Sequence, residues 1–143
     1  MTNRGFITGV SGLILNDAER EFIRAERPWG FILFKRNIES PAQVAALIGE
    51  LRKAAGMAEA PVLIDQEGGR VQRLGPPHWP VYPPGASFGA LYDIDPKLGL
   101  AAARLSSRLI AADLIDLGIS VDCLPLADVP VAGADAVIGN RAY

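Results

Sequence analysis

Short apolar runs alternate along the chain with longer segments whose apolar residues recur at helical spacing. Four of the runs have the length of a buried strand. The segment that precedes Gly56 instead places apolar residues every three or four positions, which predicts a helix with one buried face. The predicted strands cover residues 6–10, 30–34, 61–65 and 119–123, and the buried helical face comprises Val44, Leu47, Ile48 and Leu51.

Capping signals indicate where the helices begin and end. Asn16 with Glu19 three residues later is a capping-box pattern, and Ser40 with Gln43 repeats it ahead of a helix that begins with Pro41. These signals predict helices at about 17–26 and about 41–55, and an Asp-Pro step predicts a long helix at about 96–117. Helices that alternate with short apolar strands indicate a parallel sheet with crossover helices.

Two architectures fit this α/β order of elements: an open doubly wound sheet, or part of a (β/α)8 barrel. In both, ligands bind at the carboxyl ends of the strands. Polar side chains are concentrated at those ends, which is the first functional signal in the sequence. They are Lys35, Arg36 and Asn37 after the second strand, Asp65 and Glu67 at the third, and Asp122 and Asp128 at the fourth.

Composition narrows the class of protein. The chain has 143 residues, a formal net charge of −2 and a pI near 5.4, so it has the size of one domain and no basic field for nucleic acid. No apolar run reaches the roughly 20 residues that span a bilayer, so we expect no membrane partner. Cys123 is the only cysteine, which excludes an intrachain disulfide and makes the cytoplasm the expected compartment.

A proline-rich connection, GPPHWPVYPP at residues 75–84, follows the third strand and is predicted to lead as a loop toward the long helix. Proline favours extended backbone, and long loops in compact domains are usually functional or disordered. The prolines and aromatic residues favour an ordered wall of a site, with Trp79 or Tyr82 as a candidate apolar face for a sugar ring. The alternative is a proline-rich ligand for another protein.

The segment VLIDQEGGRVQRL at residues 62–74 combines two acids, a double glycine and two arginines. Asp65 and Glu67 are two positions apart, so in an extended chain their Cβ atoms lie roughly 6–7 Å apart. That distance overlaps the carboxyl separation of glycosidases, about 5–9.5 Å. The alternative is that one acid faces a ligand and the other organises the turn.

The double glycine allows a sharp turn with positive φ. Arg70 and Arg73 are then expected to leave the turn in a short helical or bent segment, where a spacing of three places them on one side. One arginine is expected to pair with Asp65 or Glu67 and hold it ionised, while the other donates to a polar ligand. Carboxylates accept hydrogen bonds from hydroxyls and guanidinium groups donate to sugar oxygens, so this mixture suits a ligand with several hydroxyls.

Other kinds of chemistry lack their characteristic residues. A nucleotide hydrolase needs a glycine-rich loop with a Gly-Lys-Ser/Thr step, and the turn at residues 9–12 has no lysine. His78 is the only histidine, and no Gly-x-Ser-x-Gly elbow is present, so we predict no nucleophilic triad. The acids are scattered along the chain, so we predict no metal site.

Four segments carry a resemblance to a known family: GFILFKRN at 30–37, IDQEGGRVQRL at 64–74, VDCLPLADV at 121–129 and IGNRAY at 138–143. In this order they resemble bacterial β-N-acetylhexosaminidases of glycoside hydrolase family 3, and the second segment is the most specific. The resemblance covers essentially the whole chain and implies the (β/α)8 barrel. It also implies a retaining enzyme without a cofactor, which removes terminal N-acetylglucosamine from muropeptide-type saccharides during peptidoglycan recycling in the cytoplasm, through a covalent glycosyl-enzyme intermediate.

The resemblance further implies roles for single residues. Asp65 and Arg73 match residues that hold the hydroxyl groups of the sugar, and Arg141 matches a third sugar-binding residue. The residues of the shared turn are expected to be structural. The acid after the fourth strand matches a family residue to which we assign no catalytic role. These residues are Glu67, Gly68, Gly69 and Arg70 in the turn, and Asp128 after the fourth strand.

The catalytic groups of the family are absent from this sequence. The chain lacks the Lys-His-Phe-Pro-Gly-His-Gly segment with its acid/base histidine, and it lacks the strand that carries the nucleophilic aspartate. A (β/α)8 barrel takes about 250 residues. Residues 1–143 are therefore expected to form the N-terminal half of a barrel, incomplete in this chain, without catalytic residues and without hydrolase activity. The alternative function is a non-catalytic N-acetylglucosamine-binding half-barrel module.

Overall fold

The computed structural model describes residues 3–131, 133 and 136–143. Its contacts divide the chain into two compact units: unit 1 comprises Met1–Ile64 and Leu114–Asp122, and unit 2 comprises Asp65–Asp113 and Cys123–Tyr143. The strands are β1 (Arg4–Thr8), β2 (Pro28–Leu33), β3 (Val62–Ile64), β4 (Gln66–Gly68), β5 (Val71–Gln72) and β6 (Val121–Asp122). The α-helices are α1 (Asp17–Glu26), α2 (Pro41–Ala55), α3 (Gly85–Ile94) and α4 (Pro96–Leu117), and short 3₁₀ helices cover Lys35–Asn37 and Gly139–Arg141.

Four strands of unit 1 form one parallel sheet in the order β1-β2-β3-β6. The strands of this sheet thus lie side by side in the same order in which they occur along the chain. In a doubly wound sheet the order reverses at a switch point, whereas a (β/α)8 barrel adds every new strand on the same side. The order of the described strands is therefore that of a barrel, as the resemblance implied.

The strand boundaries differ by a few residues from those predicted. β1 begins before the apolar run because the Arg4 amide donates to the Arg27 carbonyl (2.9 Å) and Arg4 is in register with Pro28. β6 is shorter than predicted. Just before β6, the Val62 amide donates to the Ser120 side-chain hydroxyl (3.1 Å). A side-chain oxygen therefore takes the place of the backbone carbonyl that would accept in a regular β-ladder.

The predicted capping box of α1 is confirmed. The Glu19 amide donates to Asn16 Oδ1 (2.9 Å), and the Asn16 amide donates to Glu19 Oε2 (3.1 Å). The second predicted box is only half correct. The Gln43 amide donates to Ser40 Oγ (3.3 Å), but the Gln43 side chain accepts from the Glu39 amide (3.0 Å), one residue before the cap.

The core of unit 1 contains the helical face predicted for α2 together with the strand residues. Ile23 of α1 is also buried, and α1 packs against α2. Burial of such aliphatic and aromatic side chains contributes about 1.5–3 kcal/mol each. The buried side chains include Phe31 and Leu33 of β2, Val62 and Ile64 of β3, and Val44, Leu47, Ile48 and Leu51 of α2.

The long helix α4 has the predicted extent. Asp95 Oδ1 accepts from the Lys97 and Leu98 amides (2.9 and 3.2 Å) at its start. Gly118 follows its end with a φ of +85°, a conformation that favours glycine. In the described part of the chain, no helix combines the length and apolar character needed to cross a membrane.

The prediction of a loop up to the long helix is wrong, because α3 forms at Gly85–Ile94. Gly85 and Gly89 lower the helix propensity of this stretch. Both are needed for packing within unit 2: a Cβ atom on Gly85 would lie 2.3 Å from the Arg141 carbonyl oxygen, and one on Gly89 would lie 2.6 Å from the Tyr143 carbonyl carbon. Tertiary contacts therefore favour a helix that local propensity does not indicate.

We predict that Glu19→Gln lowers the free energy of unfolding by about 1 kcal/mol at neutral pH. Partial burial opposes ionisation of Glu19, but hydrogen bonds from the Ser11 and Asn16 amides outweigh it and lower its pKa from the usual 4.5. A carboxyl group with a lowered pKa stabilises the fold above its unfolded-state pKa, and this contribution disappears as pH falls through the folded-state pKa. Glu21→Gln, at an exposed position of α1, is the matched control.

The measurement is urea denaturation of the chain and both variants at pH 7 and at about pH 3. The destabilisation by Glu19→Gln should shrink at acid pH, and Glu21→Gln should change stability by no more than about 0.5 kcal/mol. An equal loss at both pH values would contradict the prediction.

Candidate functional site

Directly after β3, the chain folds into a small antiparallel hairpin of β4 and β5. Gly68 and Gly69 both have positive φ, +85° and +57°, and reverse the chain direction there. The double glycine thus makes the predicted sharp turn. The helical or bent segment expected for Arg70–Arg73 is wrong, because Val71 and Gln72 pair as a strand with β4.

Gln66 holds the far end of this hairpin from the inside. Its side chain is fully buried: Oε1 accepts from the Arg73 and Leu74 amides (2.9 and 3.0 Å), and Nε2 donates to the Leu74 carbonyl (3.0 Å). Sequence analysis assigned no role to this residue. The only signal is its position between the two acids Asp65 and Glu67, because a polar side chain is buried there only if its hydrogen bonds are satisfied.

The proline-rich connection is ordered against the hairpin. The Gly69 amide donates to the Tyr82 carbonyl (2.8 Å), and the Gln72 side chain donates to the Pro80 carbonyl (2.6 Å) and accepts from the Tyr82 amide (3.0 Å). The suggestion that Trp79 or Tyr82 presents a face to a sugar is wrong, because each is only 7% exposed. These rings are used for packing within unit 2.

Tyr82 has a polar partner inside unit 2. Its hydroxyl donates to Asp113 Oδ2 (2.6 Å). Burial and the adjacent Asp113 carboxylate both raise the pKa of the Tyr82 phenol above its usual value. The phenol therefore remains a hydrogen-bond donor, and this pair fixes the connection rather than a ligand.

Asp65 and Arg73 form an ion pair across the hairpin. Asp65 Oδ2 lies 2.6 Å from Arg73 Nη2, and about a quarter of each side chain is exposed (24% and 26%). The prediction that an arginine pairs with one of the acids is thus confirmed. A ligand in solvent can reach both side chains, and the pairing holds them in a defined orientation.

Glu67 makes a second and more buried ion pair. Arg141 Nε donates to Glu67 Oε2 (2.8 Å) and Arg141 Nη2 donates to Glu67 Oε1 (2.6 Å). This bidentate ion pair joins residues that are 74 positions apart in the sequence. The Glu67 side chain is 6% exposed and the Arg141 side chain 23%. Sequence analysis missed this contact, because no local pattern relates positions so far apart.

Arg141 lies in a negative electrostatic environment. Its hydrogen bonds with Glu67 raise its pKa against the opposing effect of burial, and the charges of Glu67, Asp128 and Asp65 add to the rise. The charge of Asp65, which pairs with Arg73, thus acts on Arg141 within unit 2. The charge of Asp128, a residue to which we assigned no catalytic role, also acts on Arg141.

The two arginines of the hairpin have separate partners. Arg73 pairs with Asp65, whereas the Arg70 guanidinium donates to the backbone carbonyls of Val137 and Ile138. Asp65 and Glu67 likewise each face an arginine of their own. The geometry therefore favours one accessible acid and one acid that organises the turn, rather than a pair of catalytic carboxylates.

The polar residues after β2 serve the backbone of unit 1. The buried Asn37 side chain donates to the Val10 and Gly12 carbonyls (3.1 and 2.8 Å). Arg36 Nε donates to the Val10 carbonyl (2.9 Å), and its guanidinium carbon lies 4.6 Å from the centre of the Phe34 ring. Among the described residues, no group of three or more His, Cys, Asp or Glu side chains could hold a metal ion.

Comparison with known proteins decides the family. Residues 8–143 match the Glycosyl hydrolase family 3 N terminal domain. The chain belongs to this family. Two similar proteins are β-hexosaminidases, one of Xanthomonas campestris pv. campestris (strain B100), 38% identical over 137 residues, and one of Xanthomonas axonopodis pv. citri (strain 306), 40% identical over 139 residues. Each alignment covers 96% of this chain but 40% of the relative.

Solved structures of the family show the same fold. NagZ of Neisseria gonorrhoeae in complex with zinc ion matches 99% of this chain with a TM-score of 0.87 at 28% identity, over 42% of its own length. Its complex with N-trifluoroacetyl-D-glucosamine matches 97% of this chain with a TM-score of 0.85, over 41% of its length. The chain therefore spans about two-fifths of these proteins, and its parallel sheet is part of a TIM-barrel-like domain that is incomplete in this chain.

We predict that Gly68→Ala destabilises this family 3 hairpin by roughly 2 kcal/mol or more. An alanine would carry a Cβ atom at positive φ, only 2.3 Å from the Pro83 carbonyl oxygen. Gly49→Ala is the matched control. Gly49 lies in the middle of α2 on its solvent-exposed face, and nothing lies within 4 Å of a Cβ atom built there. This variant should be neutral or stabilise by up to about 1 kcal/mol.

Thermal unfolding of both variants beside the parent chain checks the difference. A Gly68→Ala variant as stable as the Gly49→Ala variant would contradict the tight packing of the hairpin against Pro83.

Proposed function

We propose that this chain is the N-terminal, sugar-holding part of an exo-acting retaining β-N-acetylglucosaminidase. Family membership and the similarity to β-hexosaminidases support the glycoside hydrolase class. The observation that carries the proposal is the accessible Asp65–Arg73 ion pair, which directly follows β3, with the Arg141 charge nearby. The carboxyl end of a barrel strand is where substrates bind in this architecture.

The proposed contacts follow from the chemistry of the side chains. The Asp65 carboxylate accepts hydrogen bonds from sugar hydroxyls, and the Arg73 and Arg141 guanidinium groups donate to sugar oxygens. Because Asp65 and Arg73 already hold each other at 2.6 Å, little side-chain entropy is lost when a sugar binds. A polar ligand with hydroxyls on several sides suits such a set of fixed donors and acceptors.

The substrate class rests on the relatives. NagZ of Neisseria gonorrhoeae binds N-trifluoroacetyl-D-glucosamine, an N-acylated glucosamine, in one of its structures. We propose that the protein acts on terminal N-acetylglucosamine of muropeptide-type saccharides, in peptidoglycan recycling in the cytoplasm and without a cofactor. Asp65, Arg73 and Arg141 are its substrate-binding residues in this chain.

We predict that the 143-residue chain does not hydrolyse a chromogenic N-acetylglucosaminide. The acid/base histidine segment and the nucleophile strand of the family are not among these residues, so the chain can hold a sugar but has no group to break the bond. The measurement is release of the chromophore, with the Xanthomonas campestris β-hexosaminidase as the positive control. Turnover above the rate of a heat-denatured sample would contradict the prediction.

We further predict weak binding of N-acetylglucosamine by the isolated chain, with a Kd on the order of 1 mM or weaker. Amide signals of residues 65–73 and 141 should shift during an NMR titration, and Asp65→Asn should weaken the binding. Asp116→Asn, at an exposed position of α4, is the matched control. No shifts at these residues would overturn the proposed sugar site, whereas micromolar binding without turnover would favour the non-catalytic module.

A further inference from the structure

Arg141 is fixed at its guanidinium group by Glu67. Both nitrogens on one edge of the guanidinium donate to the two oxygens of one carboxylate, at 2.8 and 2.6 Å. This parallel arrangement allows essentially one relative orientation of the two groups. Glu67 is 6% exposed and Arg141 is 23% exposed, so the carboxylate is covered while the arginine still faces solvent.

The backbone of Arg141 is fixed from a second side, by helix α3. Gly85 and Gly89 are four residues apart and therefore lie on one face of the helix. The chain at Arg141, Ala142 and Tyr143 runs against this face so closely that a Cβ atom on Gly85 would lie 2.3 Å from the Arg141 carbonyl oxygen. Phe88 on the same helix stacks on the Tyr143 ring, with centroids 6.1 Å apart.

The hairpin fixes the approach to Arg141 from a third side. The Arg70 guanidinium donates to the Val137 and Ile138 carbonyls, the latter at 3.2 Å, just ahead of the 3₁₀ helix that contains Arg141. Glu67 and Arg70 belong to the same turn. The turn of the hairpin that follows Asp65 thus also orders the segment that contains Arg141.

We propose that Glu67 is the positioning residue for Arg141: it holds the guanidinium in the orientation that binds the sugar, without contacting the sugar itself. This inference rests on the proposed function, since it takes Arg141 as a sugar ligand. An arginine that is ordered before binding avoids the loss of side-chain entropy that a mobile arginine would incur. The burial of Glu67 separates its role from that of the accessible Asp65.

The first test measures the order of Arg141 in the absence of sugar. In the ¹⁵N-labelled chain, the Arg141 Nε–H signal, assigned by its loss in Arg141→Lys, should be protected from exchange with water. Glu67→Gln replaces one acceptor oxygen with a donor that faces the guanidinium, so protection should be lost. Glu21→Gln on the exposed face of α1 should leave it unchanged. Retained protection in Glu67→Gln would overturn the inference.

The second test links this order to sugar binding. N-acetylglucosamine titrations should show affinity weakened about threefold to tenfold by Glu67→Gln, the cost of ordering one rotamer-rich side chain on binding. If Arg141→Lys weakens binding but Glu67→Gln does not, positioning is wrong and the proposed function stands. If Arg141→Lys has no effect, the sugar-binding role of Arg141 is itself wrong, and the inference is overturned with it.

A third variant covers the case in which Glu67→Gln fails to fold. Gly85→Ala keeps both side chains of the ion pair but displaces the Arg141 backbone, because the new Cβ would lie 2.3 Å from its carbonyl oxygen, and so draws the guanidinium out of its orientation on Glu67. It should reduce both the Nε–H protection and the affinity. Gly49→Ala in helix α2, with open space at its Cβ, is its matched control and should change neither. Lost protection with unchanged affinity in Gly85→Ala would overturn the inference, because the order of Arg141 would then not matter for sugar binding.

Discussion

The close approach of the glycine turn to the proline-rich connection constrains the rest of unit 2. Gly68 leaves no room for a Cβ atom beside the Pro83 carbonyl oxygen, and the Gly69 amide donates to the Tyr82 carbonyl at 2.8 Å. Because the turn is held in this way, the acids on either side of Gln66 have defined directions. The accessible Asp65 points to Arg73, and the buried Glu67 points to Arg141.

The two ion pairs differ in their energetics and in what they offer to a ligand. Exposed pairs contribute about 0–1 kcal/mol to stability, so the partly exposed Asp65–Arg73 pair adds little to the stability of the fold. The more buried Glu67–Arg141 pair adds little net stability, but loss of one partner from such a pair costs roughly 3–5 kcal/mol. The second pair therefore ties two distant segments together, whereas the first remains accessible from solvent.

Local patterns predicted the elements whose stability is local. Asn16 and Glu19 form the capping box of α1, and the 3.6-residue period of α2 places Val44 and Leu47 in the core. The failures have tertiary causes. The glycines of α3 lower its helix propensity because they serve close packing with residues 141–143, and the prediction of Trp79 as a sugar platform fails because the ring is buried. Aromatic content alone does not show which side of a loop is covered.

The sequence by itself determined the α/β class, the ends of α1, α2 and α4, and the family, because capping, periodicity and the segment IDQEGGRVQRL are properties of neighbouring residues. It also predicted that one of the two arginines pairs with one of the two acids across the glycine turn, and the structure shows that this pair is Asp65 and Arg73. Only the tertiary structure decided that Glu67 holds Arg141. Their contact spans 74 positions and depends on packing of the hairpin, α3 and the 139–141 segment, which no local interaction specifies.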